Sequence, residues 1–205
     1  MIIKYFFSGF FVKIITGVDD SMVHIPIIAN MAKTRKGRIA FAIGIFLAIS
    51  FAILLSFLFA EVIRSIKYYN IFSATLILLL AISIYFDIFL IKPRKEVEKK
   101  LKTKEIQKEI KIKKISLKRF LKLMGAGFLT AFATVIDDTI AYSALFLTGA
   151  IIPMIYVITG ILTATIMQLT LIVYFSKKIQ KIPYKKNITI VGLILLSALI
   201  FFKIL

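Results

Sequence analysis

Six runs of mostly apolar residues, roughly 5–29, 39–60, 70–91, 123–147, 151–175 and 187–205, are separated by short polar connectors and one long charged one. Each run is near the ~20 residues that a helix needs to cross ~30 Å of hydrocarbon. None shows the period-two alternation of a transmembrane strand. The pattern predicts an all-α polytopic membrane protein with six transmembrane helices. The first run carries Lys13, Asp19 and Asp20 and has no clear small-residue cleavage site. It therefore reads as a retained helix and not as a removable leader.

Two polar interruptions of the apolar pattern are related. TGVDDSM (16–22) and ATVIDDTI (133–140) each place adjacent aspartates deep in an apolar run. At an offset of 118 residues Gly9 matches Gly127, Phe10 matches Phe128, Thr16 matches Thr134, and Asp19 and Asp20 match Asp137 and Asp138. The shared pattern is G-F-x5-T-x-[VI]-D-D-[ST]. It divides the chain into a first three-helix repeat (1–91), a basic linker (92–119) and a second three-helix repeat (120–205). Three is odd, so the second repeat enters the membrane from the opposite side. Two inverted three-helix repeats are an architecture of secondary transporters, whose sites lie near the midplane.

Composition agrees with a membrane chain, since 60% of the residues are hydrophobic against about 45–50% in soluble domains. The net charge of +18 would suggest nucleic acid if it were spread over one face. Instead, fourteen of the 28 basic residues lie between Lys92 and Lys122. A solvated linker beside anionic lipid accounts for them, and nucleic acid is not an expected partner. The first, third and fifth connectors hold twenty-three basic residues and the second and fourth hold two. The positive-inside bias then puts the linker in the cytoplasm and both termini outside, in a multi-pass protein of the cytoplasmic membrane. After Pro93 the linker is expected to form a helix, with Glu98/Lys102 and Glu109/Lys113 as i,i+4 pairs. Cysteine is absent, which excludes disulfides and thiolate metal sites.

Helical spacing sorts the motif into faces. Thr16, Asp20 and His24 share one stripe, and Thr134, Asp138 and Tyr142 share the equivalent one. Asp19 and Asp137 point about 100° away. Carboxylate and hydroxyl oxygens suit Ca²⁺, Mn²⁺ and Mg²⁺, and a histidine adds affinity for Zn²⁺ or Mn²⁺. The candidate metal ligands are Asp19, Asp20, His24, Asp137 and Asp138. The plainer alternative is helix capping: Gly17 and Pro26 loosen the first helix, so Asp19-Asp20-Ser21 would cap a half-helix after a break. The same break is less obvious in the second repeat, where position 135 is Val. His24 is equally well a ligand, a proton carrier or a packed, hydrogen-bonded side chain. Lys13 lies two turns before Asp20, with Ala131 as its repeat partner. Of the two roles open to it, partner of a carboxylate or snorkelling to the interface, the second is favoured. Gly9, Gly125, Gly127, Gly149 and Gly160 read as close-packing positions between helices. Glycine-lined surfaces also leave room for a homodimer.

TGVDDSMV, followed by ANMAKTRKGR at the cytoplasmic end of the first helix, resembles the cadmium-resistance transporter family of the lysine-exporter superfamily. The resemblance spans most of the chain and is sharpest over the first 40 residues and 127–147. It implies a transport site at Thr16, Asp19, Thr134 and Asp137, with Asp20 and Asp138 beside them, and it implies export. Without thiolates, manganese, calcium or zinc is as good a cargo as cadmium.

The expected function is therefore a secondary transporter, not an enzyme, that exports a divalent cation in exchange for protons. It needs no cofactor other than the ion that it moves. Export of a cationic amino acid or other small organic cation is the alternative, with Lys13 the only intraspan cation to meet a substrate carboxylate. An intramembrane enzyme using the aspartates as acid/base groups or Mg²⁺ ligands is a third reading. The sequence has no G-x-S-x-G, H-E-x-x-H or P-loop to support it.

Overall fold

The structure, a computed structural model, describes residues 2–32, 34–86, 116–132, 135–148, 150–179 and 185–202. Among them the chain is all-helical. The helices are α1 (Ile2–Met31), α2 (Arg35–Arg64), α3 (Tyr69–Tyr85), α4 (Leu117–Phe132), α5 (Val135–Leu145), α6 (Ile151–Ile179) and α7 (Lys185–Phe201). A short 3-10 turn, Phe146–Thr148, follows α5. The linker helix expected after Pro93 and the residue Gly149 lie outside the described residues.

Among the described residues two helices, α2 and the Ile151–Tyr174 part of α6, are long and apolar enough to cross a membrane, and α4 with α5 adds a third if the bent pair is one span. The apolar stretches Tyr69–Ser83 and Ile190–Phe201 are shorter. Large side chains such as Leu54, Leu58, Ile71 and Leu195 are more than half exposed. An outer surface so apolar fits lipid better than water.

The helices do not pack in chain order. α1 lies mainly on α6, α2 on α4 and α5, and α3 on α7. In lipid such contacts rest on close van der Waals packing, which small residues permit. α2 shows how the sequence supplies them: Ala40, Gly44, Ala48, Ala52, Ser56 and Ala60 recur every fourth residue, and all are buried. Around Gly44 that stripe lies against α4. A side chain at Gly44 would run into the backbone of Met124 and Phe128, and one at Gly127 into the backbone of Phe41. On the other pair, Gly9 meets the backbone of Val157, and Gly160 that of Phe6 and Phe10. These four contacts are two contacts made twice. Gly127, Met124 and Phe128 lie 118 residues beyond Gly9, Phe6 and Phe10, and Val157 and Gly160 lie 116 beyond Phe41 and Gly44. Gly125 is different, because nothing stands within 4 Å of the place its side chain would take. The close-packing role expected for it is thus not found: it sits two residues from Gly127, so both cannot face α2.

The helix break is also not where the sequence suggests. α1 is continuous from Ile2 to Met31, through Gly17 and Pro26. The axes of α4 and α5 instead differ by 64°. A proline removes one backbone hydrogen bond, but in an apolar setting the backbone has no better partner than the helix itself. The second motif consequently opens a helix, with Asp137 and Asp138 in the first turn of α5. Carboxylates there face the positive end of the helix dipole.

Polar groups at the bundle ends tie connectors to helices. Thr34 caps α2 by accepting from the Gly37 N–H at 3.2 Å. Arg38 donates to the carbonyls of Ala32 and Val173, at 3.2 Å each, and Arg64 donates to that of Phe146 at 3.0 Å. The bonds to Ala32 and Phe146 satisfy carbonyls that helix ends leave over, and the one to Val173 ties α2 to the body of α6.

Candidate functional site

Lys13 lies well inside α1, about 17 Å of helix rise from its first residue and about 27 Å from its last. Its side chain is 1% exposed. The ammonium Nζ lies 3.0 Å from Asp138 Oδ2 and 3.4 Å from Asp20 Oδ2. Asp20 stands two turns beyond Lys13 on the same helix, whereas Asp138 comes from α5. One ammonium thus joins a carboxylate of the first motif to a carboxylate of the second. The Tyr142 ring, one turn past Asp138, has its centroid 5.9 Å from Nζ.

This corrects the expectation that Lys13 snorkels outward. A lysine stem reaches only about 6 Å, far short of even the nearer end of the 30-residue helix. A buried charge is tolerated when it is paired and hydrogen-bonded, and the two aspartates provide that.

Around the ammonium the wall is polar and tightly built. Thr16 Oγ1 donates to the Lys13 carbonyl at 3.4 Å. From α6, Gln168 Nε2 donates to the carbonyls of Lys13 and Ile14 at 3.2 and 3.5 Å. Gly17 makes room for it, since a side chain there would strike the Gln168 amide. Sequence reasoning missed Gln168, although it is the only glutamine in the 151–175 run. Replacing it with Leu removes a second donor from two helix carbonyls that retain their backbone environment. The expected cost is about 1 kcal/mol, read as a lowered unfolding temperature in detergent.

The other candidates are distributed as follows. Thr16, Asp20 and His24 are all buried, as are Asp138 and Tyr142, so the two stripes face inward. Asp137 is half-buried, and its carboxylate is not one of the two on the lysine. Thr134 and the Asp19 side chain lie outside the described residues. Among the described residues no group of three or more His, Asp and Glu is arranged to hold a metal. Three buried oxygens in one stretch of α5 have no hydrogen-bond partner among the described residues: Asp138 Oδ1, Thr139 Oγ1 and Tyr142 Oη. Unpaired buried oxygens cost free energy and call for a reason. Asp138 uses one oxygen on Lys13 and keeps lone pairs on the other.

Comparison with protein-family models, with curated proteins and with solved structures finds no match for this chain. Its function is therefore argued from the site.

Proposed function

We infer that the chain is a secondary transporter of the cytoplasmic membrane that exports a divalent metal cation in exchange for protons. The observation that carries this reading is the Lys13 bridge, which brings Asp20 and Asp138 to one buried point. Paired intramembrane carboxylates that hold a cation are the usual mark of an ion pathway. On this reading α1, α3 and α7 also cross the membrane, giving six spans in two inverted repeats with both termini outside and the basic linker in the cytoplasm. The doubled glycine contacts support the repeat, because the same backbone approach recurs at matching positions. Asp20 and Asp138 would be the primary ion ligands. Asp19, His24 and Asp137 would complete the shell, with Thr16 and Thr134 as hydroxyl donors. The likeness to cadmium-resistance transporters of the lysine-exporter superfamily belongs to the same proposal. Export of a cationic amino acid is less well supported, because the one lysine available for a substrate carboxylate is engaged by two aspartates.

The test is flux in liposomes. Purified protein is expected to move one or more of Mn²⁺, Zn²⁺, Cd²⁺ and Ca²⁺ saturably under an imposed pH gradient. Asp20→Asn and Asp138→Asn, checked for folding, are expected to fall to the rate of empty vesicles. Folded wild-type protein that moves none of the four ions would end this reading.

A further inference from the structure

We propose that the Lys13 ammonium is a tethered cation that holds the position between Asp20 and Asp138, and that a cargo cation binds by taking its place. The proposal rests on the transport reading above and adds the element that sets which cations the site admits. Each carboxylate gives its Oδ2 to the same nitrogen, so the point where two carboxylates converge is already filled by a positive charge. The lysine has one alternative seat in view, the face of Tyr142 at 5.9 Å, where a cation is held weakly by the ring. Its counterpart 118 residues on is Ala131, so the two motifs share a single ammonium.

A tethered competitor acts at a high effective concentration. A free monovalent cation offers the two carboxylates the same charge as the ammonium that it must displace, so it gains nothing that covers the displacement. A divalent ion doubles the Coulombic attraction to each carboxylate and can also use Asp138 Oδ1, which has no partner among the described residues and which the ammonium leaves aside. Lys13 is thus a specificity-determining residue. It excludes alkali ions and organic ammonium groups, including those of cationic amino acids, and admits dications.

The experiment compares wild type with Lys13→Met, in detergent, by titration with Mn²⁺ and with n-butylammonium. Binding of Mn²⁺ is followed by the spectrum of the free ion. The variant is expected to bind Mn²⁺ about tenfold more tightly or better and to gain butylammonium binding that wild type lacks. Equal Mn²⁺ affinity in the two proteins, with butylammonium still excluded from the variant, would overturn the proposal while leaving the transport reading standing. Absence of divalent-ion binding to both would remove the transport reading and this proposal together. Should Lys13→Met fail to fold, wild type carrying ¹⁵N-labelled lysine decides the matter. Saturation with whichever of Cd²⁺, Zn²⁺ and Ca²⁺ binds is expected to move one buried ammonium resonance. No movement at saturation would overturn the displacement.

Discussion

Asp138→Asn is expected to cost the folded protein about 3 kcal/mol, and Lys13→Met in the same chain to add less than it costs alone. Burying a charge costs free energy. Removing one partner of a buried ion pair typically destabilises by about 3–5 kcal/mol, because the remaining charge stays desolvated. Here Lys13 would keep only Asp20, its longer contact at 3.4 Å. The amide of Asn retains an oxygen that accepts from the ammonium, so the lower end of that range is expected. Asp20→Asn is expected to cost less, since the 3.0 Å bond to Asp138 survives. In the double variant the Lys13–Asp138 contact is lost only once, and one carboxylate, Asp20, is left without its ammonium where Lys13→Met alone leaves two. A double-mutant cycle should therefore give a coupling of about 2 kcal/mol, measured by loss of far-ultraviolet circular dichroism on heating or denaturation in detergent. Strictly additive costs would show that the three groups are not one electrostatic unit.

Gly127→Leu and Gly9→Leu are expected to be comparably damaging, each costing about 3 kcal/mol or preventing a monodisperse fold. Overpacking usually costs about 1–3 kcal/mol, and more when nothing can yield. At both positions the obstacle is a neighbouring helix's backbone, at Phe41 and Val157 respectively, and no rotamer change can move it. Separating those helices also forfeits packing along the whole pair. Gly125→Leu is the control. It enters open space and should shift stability by no more than about 0.5 kcal/mol. Size-exclusion profiles and unfolding temperatures of the three variants would settle the comparison, and equal tolerance of all three would contradict the packing described.

The sequence made some of this legible and left the rest hidden, for identifiable reasons. Face assignment worked where spacing governs it: Thr16, Asp20 and His24 are a turn apart and all buried. The direction of Lys13 was open, because a lysine on a lipid-crossing helix has two outlets. Only the position of α5 reveals that a second carboxylate waits at 3.0 Å. The break went to the wrong motif because glycine and proline report local propensity, which packing overrides. Gln168 and Gly44 lay outside the repeated motif, and only the packing of α6 on α1 and of α4 on α2 shows what they touch. Gly125 was mistaken for its neighbour's role because composition does not say which side of a helix meets another.

The glycine contacts carry one more consequence. They fasten α1 to α6 and α2 to α4, so each fastened pair takes one helix from before the charged linker and one from after it. The mechanical units of this molecule therefore cut across its sequence. Asp20 rides on one unit, and Asp138, on α5 against α2, rides on the other. Lys13 rides with Asp20 on α1, so its bond to Asp138 is a bolt between the units, and sliding one past the other strains that bond first.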